Sequence, residues 1–237
     1  VGVLTLTGGE LAATASPASD LGNFHLKGDV TVSGTSKSTI SADVRVIQND
    51  TRAFDVASTG DPSGPDLLIS GKLGHYNNNS WGYMTKQGDG TMKLTGTVEI
   101  GAITVNTTGG KLILEDAAAD WGGYTSSGLV NNSIVEFFVT TGSRSTSVPI
   151  SGSGSMAKSG SGTLTVSGYN SGSGGVTVTG GTLVASKSQQ DYGIHTLGYG
   201  ALTINNGGTL RPTAQWSTSS EWNGTTVGAV TINQGGT

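Results

Sequence analysis

Along most of its length the chain alternates an apolar Val, Ile, Leu or Met with a Thr, Ser, Lys or Asn for a few residues, then meets a glycine. A period of two marks a strand buried on one face. Five near-copies of one such phrase recur: Val3 to Leu11 (VLTLTGGEL), Ile103 to Leu112 (ITVNTTGGKL), Val176 to Leu183 (VTVTGGTL), Leu202 to Leu210 (LTINNGGTL) and Val230 to Thr237 (VTINQGGT). Each predicts a short strand, a glycine turn and the start of a second strand. No stretch sustains apolar residues at helical spacing, so the chain is expected to be all-β.

A second phrase precedes the first. It runs from Lys86 to Gly96 (KQGDGTMKLTG) and from Lys158 to Gly168 (KSGSGTLTVSG), with a looser copy at Lys27 to Gly34. Upstream of both good copies stands a third, Leu68-Ile69-Ser70-Gly71 matching Pro149-Ile150-Ser151-Gly152. A unit that recurs in this way cannot bury its own apolar face and must stack on a neighbouring copy. Later in the chain the double glycines at Gly180, Gly207 and Gly235 are 27 and 28 residues apart. That spacing is too short for propeller blades of about 40 to 50 residues. It fits one turn of a right-handed parallel β-helix, with Val, Ile, Leu and Met inside and Thr, Ser, Lys and Asn outside. At roughly 24 residues a coil, about ten coils give a rod on the order of 50 Å long. The stretches 74–82, 117–127, 187–199 and 213–226 break the pattern and are expected to protrude as loops.

The segments KSGSGTLTVSGYNSGSGGVTVTGGTLVAS and KQGDGTMKLTG with AITVNTTGGKLILE resemble the autotransporter-associated β-strand repeat of bacterial surface proteins. Gly128 to Phe137 and Thr39 to Val56, with its Ala53-Phe54-Asp55-Val56, resemble the intervening coil of that family. The resemblance covers about two thirds of the chain. It implies a parallel β-helix and a secreted or cell-surface location. Residues 1–237 are expected to form a single β-helix segment of a longer repetitive chain.

Composition narrows the function. Glycine is abundant, at 40 of 237 residues, and here it separates strands. A net charge of −4 with only 12 Lys and Arg, scattered singly, excludes a concentrated phosphate-binding surface, so nucleic acid is not an expected partner. No apolar run reaches the roughly 20 residues of a membrane helix, and the aromatic girdles of an outer-membrane barrel are missing. With no cysteine there is neither a disulfide nor a thiolate metal site.

Motifs for chemistry are weak. There is no Gly-x-Ser-x-Gly elbow and no complete phosphate loop. His25, His75 and His195 are far apart in sequence and are expected to be surface loop residues. Acid candidates are Asp50, Asp55, Asp61 and Asp66, and Glu115, Asp116 and Asp120. Neither set repeats at coil spacing, as stacked catalytic or calcium-binding acids would, so both are read as solvated loop acids. Five N-x-[ST] sites are expected by chance in a chain this rich in Asn, Ser and Thr.

The aromatic residues are the most suggestive feature. Tyr76, Trp81, Trp121, Tyr124, Trp216 and Trp222 fall in or beside the predicted loops, where flat rings could stack on sugars or enter protein interfaces. The competing reading is that they fold back as lids over the coil edges, and this reading is preferred.

The sequence therefore points to a non-enzymatic structural protein, a β-helical stalk or adhesin passenger segment at the bacterial surface, with no catalytic residue, metal or cofactor. Its expected partners are other parts of the same long chain, copies stacked end to end, and a host or environmental glycan or protein. One alternative is a subunit of a self-assembling extracellular filament or sheath. Another is a polysaccharide lyase or hydrolase on the same scaffold, which would bring Asp55 and Asp66, or Glu115 and Asp120, together in a groove beside a tryptophan.

Overall fold

A computed structural model of the chain describes residues 1–13, 24–47, 49–75, 81–121, 128–186, 196–213 and 228–237. These residues wind into a β-solenoid. Its strands pair in parallel, each with its counterpart one coil away, as the sequence phrases predict. One side is a seven-stranded sheet from Leu4–Leu6 to Ile150–Ser151. The next is a ten-stranded sheet from Glu10–Leu11 to Val230–Ile232. Ten strands spaced about 4.8 Å apart make a column a little over 40 Å long.

The third side is split. It begins as a three-stranded sheet, Phe24–Leu26, Val44–Val46 and Leu73–His75, which Val98 extends by one bridge to Leu73. It ends as a four-stranded sheet, Ser143–Thr146, Thr163–Val166, Gly181–Ala185 and Gly208–Pro212. Between them a 3-10 turn, Asp116–Asp120, takes the place of a strand. Partners in adjacent coils are 19 residues apart at Lys86 and Val105 but 32 apart at Phe54 and Lys86, so insertions are absorbed between rungs without breaking the pairing.

Register explains the core. In the ten-stranded sheet Met92, Leu112, Val135, Met156, Val176 and Leu202 stack in one inward column, all buried. Each coil's apolar floor is the next coil's ceiling. Outward positions carry Lys93–Glu115 and Lys111–Glu136 ion pairs between neighbouring coils.

The two long phrase copies sit at different corners. Lys86 to Leu94 turns from the seven-stranded to the ten-stranded sheet, whereas Lys158 to Val166 turns from the ten-stranded to the four-stranded sheet. The repeat thus shifts by one side of the coil between its occurrences, and the 3-10 turn lies between them.

Several loop expectations are corrected. Residues 117–121 do not protrude, because Ala118, Ala119 and Trp121 are core. Thr196 and Leu197 are likewise buried in a coil. His75 is 8% exposed within a strand and His25 sits partly buried in a strand of the same three-stranded sheet, so neither is a surface loop residue. His195 lies outside the described residues.

Candidate functional site

Two corners hold the same device. Lys86 occupies an inward position, stacked between Phe54 of the preceding coil and Val105 of the following one. It is fully buried, and its Nζ donates to the carbonyl oxygens of Gln87 at 2.9 Å, Gly88 at 3.0 Å and Gly109 at 2.8 Å. Lys158 repeats this between Phe137 and Val178, donating to Ser159 at 2.7 Å, Gly160 at 3.0 Å and Gly180 at 3.1 Å. In each case two acceptors belong to the lysine's own corner and the third to the double glycine of the next coil. The ammonium therefore bolts two coils together.

Burial pushes the Lys86 ammonium down to about 8, opposed by Asp55, Asp66 and Asp89. Burial alone pushes Lys158 to about 8. Three carbonyl oxygens per ammonium match its three donors, so the charged form is the one each cradle fits. The expectation that lysines point outward fails at these two positions. Period two could have located them: Met84-Thr85-Lys86 and Met156-Ala157-Lys158 both put the lysine on the methionine's inward side.

The acids act as struts between coils. Asp66 accepts from Thr59 N at 2.6 Å, Thr59 Oγ1 at 2.7 Å and Thr91 N at 2.6 Å. Burial opposes its ionisation, but these donors prevail and hold the carboxyl below the usual range. Asp116 is set the same way against Thr140 N and Oγ1, with burial again opposing. Asp120 takes the Ser145 amide at 2.8 Å and pairs with Arg144, and Asp29 takes the Ala53 amide at 2.9 Å. Glu136 is lowered despite burial by Lys111 and Ser159. Asp61 is lowered first by Ser63 and then by the Lys37 amide, and Asp50 pairs with Arg52. The acids singled out from sequence thus fall in two coils, Asp50, Asp55, Asp61 and Asp66 in that of Thr51–Val56 and Leu67–Ile69, and Glu115, Asp116 and Asp120 in that of Lys111–Glu115 and the 3-10 turn. No group of three or more His, Asp or Glu among the described residues is arranged to hold a metal ion.

Of the aromatic candidates, Trp121 is 1% exposed and its Nε1 donates to Ile100 O at 3.0 Å, while its own carbonyl accepts from Thr146 Oγ1 at 2.8 Å. It fills the third side beside the 3-10 turn and offers no ring to a ligand, so its place among contact candidates is corrected. Trp81 is partly buried at the foot of an insertion, with its ring 4.4 Å from that of His75, inclined at 58°. Tyr76, Tyr124, Trp216 and Trp222 lie outside the described residues. A small, half-open pocket of about 20 Å³, lined by Asn131, Ile150, Asn170, Gly172 and Leu197 among others, has room for a water molecule.

No curated protein and no solved structure matches the chain. Residues 156–185, which include Lys158, its corner and the double glycine that receives it, match the family model described as Passenger-associated-transport-repeat. With the β-solenoid around it, this match fits an autotransporter passenger domain and agrees with the resemblance read from the sequence: the segment 156–185 is similar to a passenger-associated transport repeat.

Proposed function

We propose that this chain is a non-enzymatic, rigid segment of a secreted or surface-displayed bacterial passenger, which holds other parts of the molecule away from the cell. The observation that carries this reading is the unbroken ten-stranded ladder with its continuous apolar column. A stack of coils joined by main-chain ladders, lysine bolts and carboxylate struts resists bending without disulfides, and its insertions vary without disturbing the core. The passenger-repeat match supports the extracellular setting.

Small-angle scattering from the full chain tests the rod. The expected result is an elongated particle whose cross-section stays constant. A compact globular profile would overturn the reading. Contact with a glycan or protein is assigned to the insertions, and the ring pair His75–Trp81 supports it by anchoring one insertion to the coil. A glycan array comparing wild type with Trp81→Ala is expected to separate the two proteins, and equal signals would remove this part of the proposal.

A further inference from the structure

Two of the corner turns share one geometry, and one of them carries reactive chemistry. In Asn205-Asn206-Gly207-Gly208 the Gly208 amide donates to Asn205 O at 2.9 Å and Gly207 has φ +83°. These are the marks of a type II turn with Asn206 and Gly207 at its centre. Both central residues are exposed. The turn flips the Asn206–Gly207 peptide out of its own hydrogen bond, and the Gly207 N–H reaches only Gly235 O, at 3.4 Å. That is beyond the usual 2.7–3.2 Å of an N–H···O bond.

We propose that Asn206–Gly207 is a site of spontaneous covalent modification by succinimide formation. The Gly207 nitrogen, losing its proton to solvent base, attacks Cγ of Asn206. The new C–N bond closes a five-membered imide as the Cγ–Nδ2 bond breaks and ammonia leaves. Water then opens either carbonyl, giving aspartate or isoaspartate, with no oxidant or other co-reactant. Glycine is the neighbour that permits this, because it has no side chain to shield its nitrogen. The other described asparagines with a described successor, among them Asn106, Asn132 and Asn170, precede Thr or Ser, or another substituted residue.

The structure supplies its own contrast at Asp89–Gly90, whose sequence also favours imide formation. There the Gly90 amide is held by Val56 O at 2.8 Å, and Asp89 Oδ1 is engaged by the Ser58 amide at 2.8 Å. Both reacting groups are occupied. A second contrast lies one coil above Asn206. Asn233-Gln234-Gly235-Gly236 closes with the same 2.9 Å bond and has φ +82° at Gly235, but carries Gln at the reactive position. A Gln side chain would need a six-membered ring and reacts far more slowly. The fold therefore already accepts Gln in this turn.

Modification would matter to the stack. An isoaspartate lengthens the main chain by one carbon inside a corner, between Leu202–Ile204 and Gly208–Pro212. Either product places a carboxylate where the Asn206 amide lies against Gly235 of the next coil.

The test holds the folded full chain in mildly alkaline buffer and follows each site by peptide mapping, with enzymatic methylation to detect isoaspartate. Deamidation at Asn206 is expected several-fold ahead of every other described asparagine and ahead of isomerisation at Asp89. Asn206→Gln is expected to abolish the signal with an unchanged circular dichroism melt. In urea, Asp89 should react several-fold faster than in the folded chain. An intact Asn206 while Asn132 or Asn170 reacts, or reaction at Asn206 only after unfolding, would overturn the proposal.

Discussion

Adding one methyl group at Gly174 probes how closely the coils approach. Gly154, Gly174 and Gly200 form a column at one corner, Gly174 and Gly200 each lying against the carbonyl of the glycine one coil before and Gly154 against that of Ser133. A Cβ on Gly174 would sit 1.9 Å from Gly154 O and 2.4 Å from its carbonyl carbon, and one on Gly200 would sit 1.8 Å from Gly174 O. An ordinary carbon–oxygen contact is about 3.3 Å or more. The methyl must therefore open the corner by more than an ångström in a stack with a repeat of about 4.8 Å. No flexible side chain can yield, since the obstacle is main chain. Overpacking of this kind costs about 1–3 kcal/mol. Opening the corner also loosens the Ser173 N to Gly152 O and Met156 N to Gly175 O bonds, each 2.9 Å, at about 1 kcal/mol apiece. Gly174→Ala is thus expected to destabilise by about 3–5 kcal/mol in urea unfolding followed by circular dichroism. Hydrogen exchange should place the loss at 152–156 and 172–178.

Gly9→Ala is the control, because nothing lies within 4 Å of a Cβ there. It should be neutral or stabilising by up to about 1 kcal/mol, through the reduced freedom of the unfolded chain. A Gly174→Ala protein within about 0.5 kcal/mol of wild type, the ordinary range of a surface substitution, would refute the close-stacking argument. So would equal losses in the two variants.

Three further outcomes are expected. Lys86→Met and Lys158→Met each strand three carbonyls that are at least partly buried and should cost about 2–4 kcal/mol by urea unfolding. In wild type the folded lysines lose protons near 8 while the unfolded chain holds them to about 10.4, so stability should rise with pH across that window, and each Met variant should lose its share of the rise. Trp121→Ala should cost about 3–5 kcal/mol and Trp121→Phe, which keeps most of the packing but leaves Ile100 O without its donor, about 1–2 kcal/mol, read from thermal melts. Asp66, Asp116 and Glu136 have lowered folded pKa values, so their stabilisation is complete above the ordinary carboxylate range and is lost as pH falls through the folded values. Acid titration of Asp66→Asn should show a shallower decline below about pH 4 than wild type.

The alternation of apolar and polar residues made the strands, the parallel stacking and most of the core legible from sequence. Val, Ile, Leu and Met at every second position can be satisfied only by an inside and an outside. What the alternation did not convey is where one side of the coil ends and the next begins. The same phrase, K-x-G-x-G-T, turns two different corners, because its requirements are local: an inward lysine, two carbonyls of its own turn and one from the coil above. Nothing in those requirements names a side of the coil. The 3-10 turn at Asp116–Asp120 lies where the third side passes from one sheet to another, and its sequence, Asp-Ala-Ala-Ala-Asp-Trp, has neither alternation nor helical period to announce it.

The buried polar residues escaped notice for a related reason. Residue type alone assigns lysine, aspartate and histidine to solvent, yet a solenoid corner exposes main-chain carbonyls and amides toward the interior, and these must be satisfied there. Lys86 and Lys158 answer carbonyls; Asp66 and Asp116 answer amides. Each works by linking a corner to its neighbour, and that explains why the lysine and the double glycine appear together, 23 residues apart at Lys86 and Gly109 and 22 apart at Lys158 and Gly180. The pairing of those two signals at one coil's separation carries more structural information than either phrase alone. The double glycine at Gly207 has no lysine one coil earlier: Val178 stands where Lys158 stood, and Ile204 follows it in the same column. Among the described residues, the coils beyond 186 therefore rest on the ladder and the apolar column without the bolt.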